Sequence, residues 1–139
     1  MEFIFNKSQL QDMQQIISLY KSFDRYKEYT REDLYYHILP SFKLNQYKII
    51  KENNKVVSFA NWAYLDNDSE KEFKKTGDFS NDAWKSGDNP WVIDVISKIN
   101  GSKINGAKIT HWLRHIFKKV NWMRSDKNFK FYRISKKGY

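Results

Sequence analysis

An α+β domain with a mostly antiparallel sheet is the fold class this sequence predicts. Three observations predict it. Apolar residues recur at helical spacing near the start of the chain and again late in it. Between them lie apolar runs of strand length. Turn signals join several of those runs as hairpins. The 139 residues, 40% apolar and 17% aromatic, suit one domain over residues 1–139 with a single core.

Each element follows in order. Ser8 marks the cap of a first helix, with Leu10, Met13, Ile16, Ile17, Tyr20 and Phe23 along one side. The polar segment FDRYKEY, residues 23–29, interrupts the pattern. Thr30, followed by Arg31, Glu32 and Asp33, reads as a second cap. That helix carries Leu34, Ile38 and Leu39 and is expected to stop near Pro40. Residues 46–52 and 55–65 read as two antiparallel strands around the Asn53-Asn54 turn. Residues 66–82 are polar, with one short helix ending at Gly77. Asn89-Pro90 marks a turn, and residues 91–96, WVIDVI, read as a strand apolar on both faces and therefore central. Residues 100–106, NGSKING, read as a loop. Ile109, Trp112, Leu113, Ile116 and Phe117 form the stripe of a last helix. Residues 120–124 and 129–135 read as two short strands around a turn at 126–128.

Composition excludes several chemistries. There is no cysteine, so disulfides, thiolate metal sites and a cysteine nucleophile are ruled out. Glycine is scarce, and the chain has no phosphate loop, dinucleotide fingerprint or nucleophile elbow. No apolar run reaches bilayer length, and the start, MEFIFNKSQL, lacks the features of a signal peptide. A soluble cytoplasmic protein is expected. The formal charge of +9 predicts attraction to an acidic partner, or serves solubility alone.

The residue that stands out is Asp94, one carboxylate inside an apolar strand. Strict alternation places Val92, Asp94 and Ile96 on one face. A buried acid needs a cation or several donors. One reading is a structural ion pair with Arg124 or a lysine; the other is an acid held at a cleft to orient or charge a partner. His111 and His115 sit four apart, yet no third metal ligand lies near them in sequence, so no metal site is expected. His37 lies alone on the second helix. The basic, aromatic tail could stack on single-stranded nucleic acid, but Phe129, Phe131 and Ile134 also fit an ordinary half-buried strand; the ordinary reading disfavours nucleic acid.

Several strings in order resemble the RTX-toxin-activating lysine acyltransferases, the haemolysin C-like family. They are Ile38-Leu39-Pro40 with Asn45-Gln46-Tyr47, then residues 57–65, VSFANWAYL, then Asp82-Ala83-Trp84-Lys85-Ser86-Gly87-Asp88 running into Trp91-Val92-Ile93-Asp94, and Met123-Arg124-Ser125-Asp126. The resemblance implies a GNAT-like fold, a mostly antiparallel sheet flanked by helices. It implies transfer of a fatty acyl group from acyl carrier protein to a lysine side chain of a protein substrate, with no bound cofactor. Acyl carrier protein is acidic, which matches the basic charge. The family's activity is attributed to a histidine and an aspartate. The aspartate corresponds to Asp94. Counting back from Leu39-Pro40 places the histidine at Tyr26, and the nearest histidine is His37, where the family more often has Asn. Asp94, Tyr26 and His37 are thus the expected catalytic residues, with Trp62 and Arg124 expected to contact substrate. A tyrosine is a poor base near pH 7 but can protonate a leaving thiolate. The competing readings are a non-catalytic binding module on the same fold and a small basic nucleic-acid-binding protein.

Overall fold

The computed structural model describes residues 5–98, 102–117, 119–125 and 131–137; for 102–107, 119–120, 122–125 and 131–137 it gives the course of the backbone. Helix α1 (Lys7–Lys21) is capped by Asn6, two residues before the expected Ser8, through a reciprocal box with Gln9. After a short 3₁₀ turn, Asp24–Tyr26, helix α2 (Arg31–Lys43) starts from Thr30, which exchanges hydrogen bonds with Asp33. Pro40 does not end this helix; α2 runs through it to Lys43. Proline here removes one bond near the helix end, and the carbonyl it leaves unpaired belongs to Tyr36, an exposed residue.

Strands β1 (Tyr47–Glu52) and β2 (Lys55–Leu65) form the expected hairpin. Asn53 and Asn54 take φ values of 51° and 64°, the left-handed pair that a two-residue hairpin turn requires. Helix α3 (Asn67–Thr76) is capped by Asp66 and ends on left-handed Gly77. Strand β3 (Asn89–Ser97) follows, then α4 (Ser102–Ile116), β4 (Lys119–Ser125) and β5 (Phe131–Lys137). The expected loop at 100–106 is therefore helical from Ser102. A single glycine costs a helix only about 1 kcal/mol, less than the packed apolar stripe behind it supplies. The expected turn at 126–128 lies outside the described residues.

The sheet order is β1-β2-β3-β4-β5. All neighbours are antiparallel except β3 and β4, which run parallel and pair only at Trp91 with Asn121 and Val92 with Trp122. Beyond Val92 the two strands part. Helices α1 and α2 cover one face, through Met13, Ile16, Tyr20, Leu34, Ile38 and Phe42 against Phe59 and Ile96. Helix α4 covers the other, through Ile109, Leu113 and the residue after it, Phe117, against Ala60, Trp62 and Val92. A third cluster joins Phe73 of α3 to Ala63, Leu65, Trp84 and Trp91. Gly87 seals this end: a Cβ there would lie 2.5 Å from Asp66 Cα and 2.7 Å from Leu65 O. Among the described residues, no helix is long and apolar enough to cross a membrane.

Candidate functional site

The site begins with a register fault. In β2–β3 pairing Asn61 opposes Asp94, but the next residue, Trp62, opposes Val92. Ile93 is the extra residue of a β-bulge. Strict alternation, expected to place Val92 and Asp94 on one face, fails here. Val92 packs under α4, while Asp94 turns to the α1–α2 face. The bulge frees the Asp94 N–H from the ladder, and Asn61 Oδ1 accepts it at 3.0 Å. Asn61 is fully buried. Its Nδ2 donates to Ser41 Oγ at 3.2 Å, and Ser41 Oγ donates to the Ile38 carbonyl at 2.8 Å. This buried relay ties the bulge to the turn of α2 that carries His37.

Two donors converge on one carboxylate oxygen. Asp94 Oδ2 accepts the Tyr20 hydroxyl at 2.6 Å and meets His37 Nε2 at 2.7 Å. Arg124 is therefore not needed to explain the acid; its side chain lies outside the described residues. The Tyr26 ring stands edge-on to Tyr20 at 4.9 Å and lies 6.4 Å from the His37 ring. Burial opposes ionisation of Asp94, but the His37 hydrogen bond and charge, with the Tyr20 bond, outweigh it and hold the pKa low. Burial likewise opposes charge on His37, and Asp94 reverses this to raise the imidazole pKa. Burial, then the Asp94 charge, push both Tyr20 and Tyr26 above the ordinary phenol value.

Two cavities meet at this point. One, of about 610 Å³, opens between α2 and α3 and is lined by Tyr29, Asp33, Tyr36, His37 and Phe73 among others. The other, of about 420 Å³, opens where β3 and β4 part and is lined by Val92, Val95, Ile96, Thr110 and Leu113. Arg25, Tyr26, Ile93 and Asp94 line both. Asp94, Tyr26 and His37 are thus brought together. Trp62 is placed elsewhere: it is buried on the α4 face against Trp112 and Phe117 and lines neither cavity. Tyr20, Arg25 and Asn61 belong to the site without having been expected there. Asn61 had a signal, a fully polar amide inside an apolar strand; Tyr20 reads only as part of an apolar helix stripe. Among the described residues, no group of three metal-ligating side chains occurs.

The model of the RTX toxin acyltransferase family matches residues 6–136. A leukotoxin-activating lysine-acyltransferase of Mannheimia haemolytica is 28% identical over 57% of this chain and 48% of its own length. The protein-lysine myristoyltransferase HlyC of Escherichia coli is 34% identical over 51% of this chain and 40% of its own. An uncharacterized Synechocystis protein is 30% identical over 90% of this chain and 86% of its own. The chain thus spans about half the length of the two acyltransferases. Among solved structures, a GNAT-like decarboxylase in complex with isobutyryl-CoA superposes with a TM-score of 0.55 at 8% identity, over 84% of this chain and 64% of that one; the likeness is one of fold. With the family model matched across nearly its whole length, this chain belongs to the RTX toxin acyltransferase family and carries a GNAT-like α+β fold.

Proposed function

We propose that the chain is a protein-lysine acyltransferase that takes a fatty acyl group from acyl carrier protein. The observation that carries the reading is the His37–Asp94 pair at 2.7 Å on the wall where two cavities meet. A transfer enzyme needs two approaches to one reacting point. The cavity under α4 has the apolar walls that suit an acyl chain. The parting of β3 from β4 leaves backbone groups beyond Val92 that can pair with the amides of a carrier arm. The cavity beside α2, with tyrosines and Asp33 around it, suits the lysine side chain.

In this reading His37 is the base. With Nε2–H donating to Asp94, the lone pair sits on Nδ1, which takes a proton from the lysine amine. Asp94 steadies the imidazolium that results. The amine nitrogen attacks the thioester carbonyl, a C–N bond forms and the C–S bond breaks. Tyr26, kept protonated by its surroundings, protonates the departing thiolate and is reprotonated from solvent, while the His37 imidazolium returns its proton to solvent and is restored as the base. The resemblance points to Tyr26 as the position of the family's histidine; in this reading the imidazole reaches Asp94 from α2 instead.

The test is incubation with acyl carrier proteins of several chain lengths and a lysine-bearing peptide, followed by intact mass. An acyl-sized mass gain on the peptide supports the reading. Association with the carrier and no transfer selects a binding module; neither association nor transfer overturns it.

A further inference from the structure

We propose that Tyr20 is a positioning residue of this site, its buried hydroxyl pinning the Asp94 oxygen that orients the His37 ring. The inference rests on the reading that His37 and Asp94 act as a pair. Tyr20 is fully buried among Met13, Ile16, Leu34, Ile38 and Phe59. A phenylalanine would fill that space equally well. The hydroxyl is the one feature that apolar packing does not require, and burial makes it costly without a partner. Its partner is Asp94 Oδ2, at the short 2.6 Å of a charge-assisted bond. His37 Nε2 meets the same oxygen at 2.7 Å. The Tyr20 ring also stands edge-on to the His37 ring at 5.7 Å. One residue of α1 therefore touches both members of a pair built from α2 and β3.

The chemistry follows from sharing one oxygen. A carboxylate with a fixed second donor cannot swing toward an incoming ammonium, so it keeps His37 in one orientation. The phenol also withdraws part of the negative charge that His37 would otherwise feel. Burial keeps the phenol protonated, so it donates throughout the working pH range. The groups that face the imidazole are Asp94 from β3, Tyr20 from α1, Arg25 and Tyr26 from the 3₁₀ turn, and Asp78 from the loop after α3. Of these, Tyr20 is the one that acts through Asp94 by a direct hydrogen bond.

The experiment is a ring-resonance NMR titration of His37 in the full chain without substrates, wild type against Tyr20→Phe. With one donor gone, Asp94 attracts the imidazolium more strongly, and the His37 midpoint should rise by about one pH unit. The acid limb of the transfer rate should move with it, and the rate near neutrality should fall roughly ten-fold. A core filler would change the melting temperature and leave the His37 midpoint where it is; that result overturns the proposal. If Tyr20→Phe does not fold, 3-fluorotyrosine placed at position 20 keeps the shape and strengthens the donor. The midpoint should then fall, and an unmoved midpoint overturns the proposal. The titration needs no acyl donor. A shifted midpoint in a chain that never transfers an acyl group counts against the acyltransferase reading alone.

Discussion

His37 and Asp94 hold opposite shifts, and the signs fix what pH does to each. The imidazole pKa is raised in the folded chain, so its stabilising charge is present below the unfolded value of about 6.5 and is lost as pH rises through the folded value. The carboxylate pKa is lowered, so its contribution is present above the unfolded value of about 3.9 and is lost as pH falls through the folded one. The pair is thus a stabilising element of weakly acidic solution, and melting wild type beside His37→Asn from about pH 2 to about pH 9 should show their difference shrink at both ends, below the unfolded carboxylate value and above the unfolded imidazole value. Catalysis has the opposite need at the alkaline end, because a base must be neutral. Transfer should rise with pH through the His37 midpoint and then level off. Asp94→Asn keeps the shape and removes the charge; the His37 midpoint should drop, and transfer should fall by about 10²-fold or more. A rate profile flat across the His37 titration would place the base elsewhere.

At the scale of elements, the bulge at Ile93 decides which face Asp94 occupies. Asn61 holds that bulge by accepting the Asp94 N–H. Asn61→Ala should leave a buried amide unpaired and cost about 1–3 kcal/mol in urea unfolding. It should also weaken transfer, since the relay through Ser41 to α2 is lost. An Asn61→Ala protein as stable as wild type would show that the bulge holds itself. Gly87→Ala should cost stability too, about 1–3 kcal/mol, because the added methyl meets only backbone, at Asp66 and Leu65. Much of this layer was legible. Asn53-Asn54 announced the hairpin, Gly77 the end of α3, and the apolar run at 91–96 the central strand. The bulge was not, because periodicity assumes one residue per step and a bulge breaks that count without a marker in composition. Pro40 misled for a related reason: a proline one turn from a helix end removes a bond that solvent can replace.

At the scale of the molecule, the fold works by bringing distant positions together. Tyr20 and Asp94 are 74 residues apart in sequence, and His37 and Asp94 are 57 apart. Asp94 was legible as an acid in an apolar strand, and the resemblance pointed to Tyr26 and His37. The second donor to Asp94, Tyr20, was hidden in a helix stripe that reads as core, which it also is. Arg25, at the wall of both cavities, lay in a polar segment without periodicity. The net charge of +9 acts at this scale as well. Association with an acidic carrier should weaken steadily as salt passes about 0.15 M, where the screening length is near ~8 Å; affinity independent of salt would remove electrostatic recruitment from the account. The central claim is that His37, oriented by Asp94, is the base of an acyl transfer. The measurement that tests it most directly is the rate of lysine acylation by wild type and by His37→Asn across the His37 titration. His37 is 40% exposed at its side chain, so the variant should fold normally. The account predicts a loss of about 10²- to 10⁴-fold together with the loss of the pH dependence. A folded His37→Asn protein that acylates lysine at the wild-type rate, with the wild-type pH profile, would contradict it.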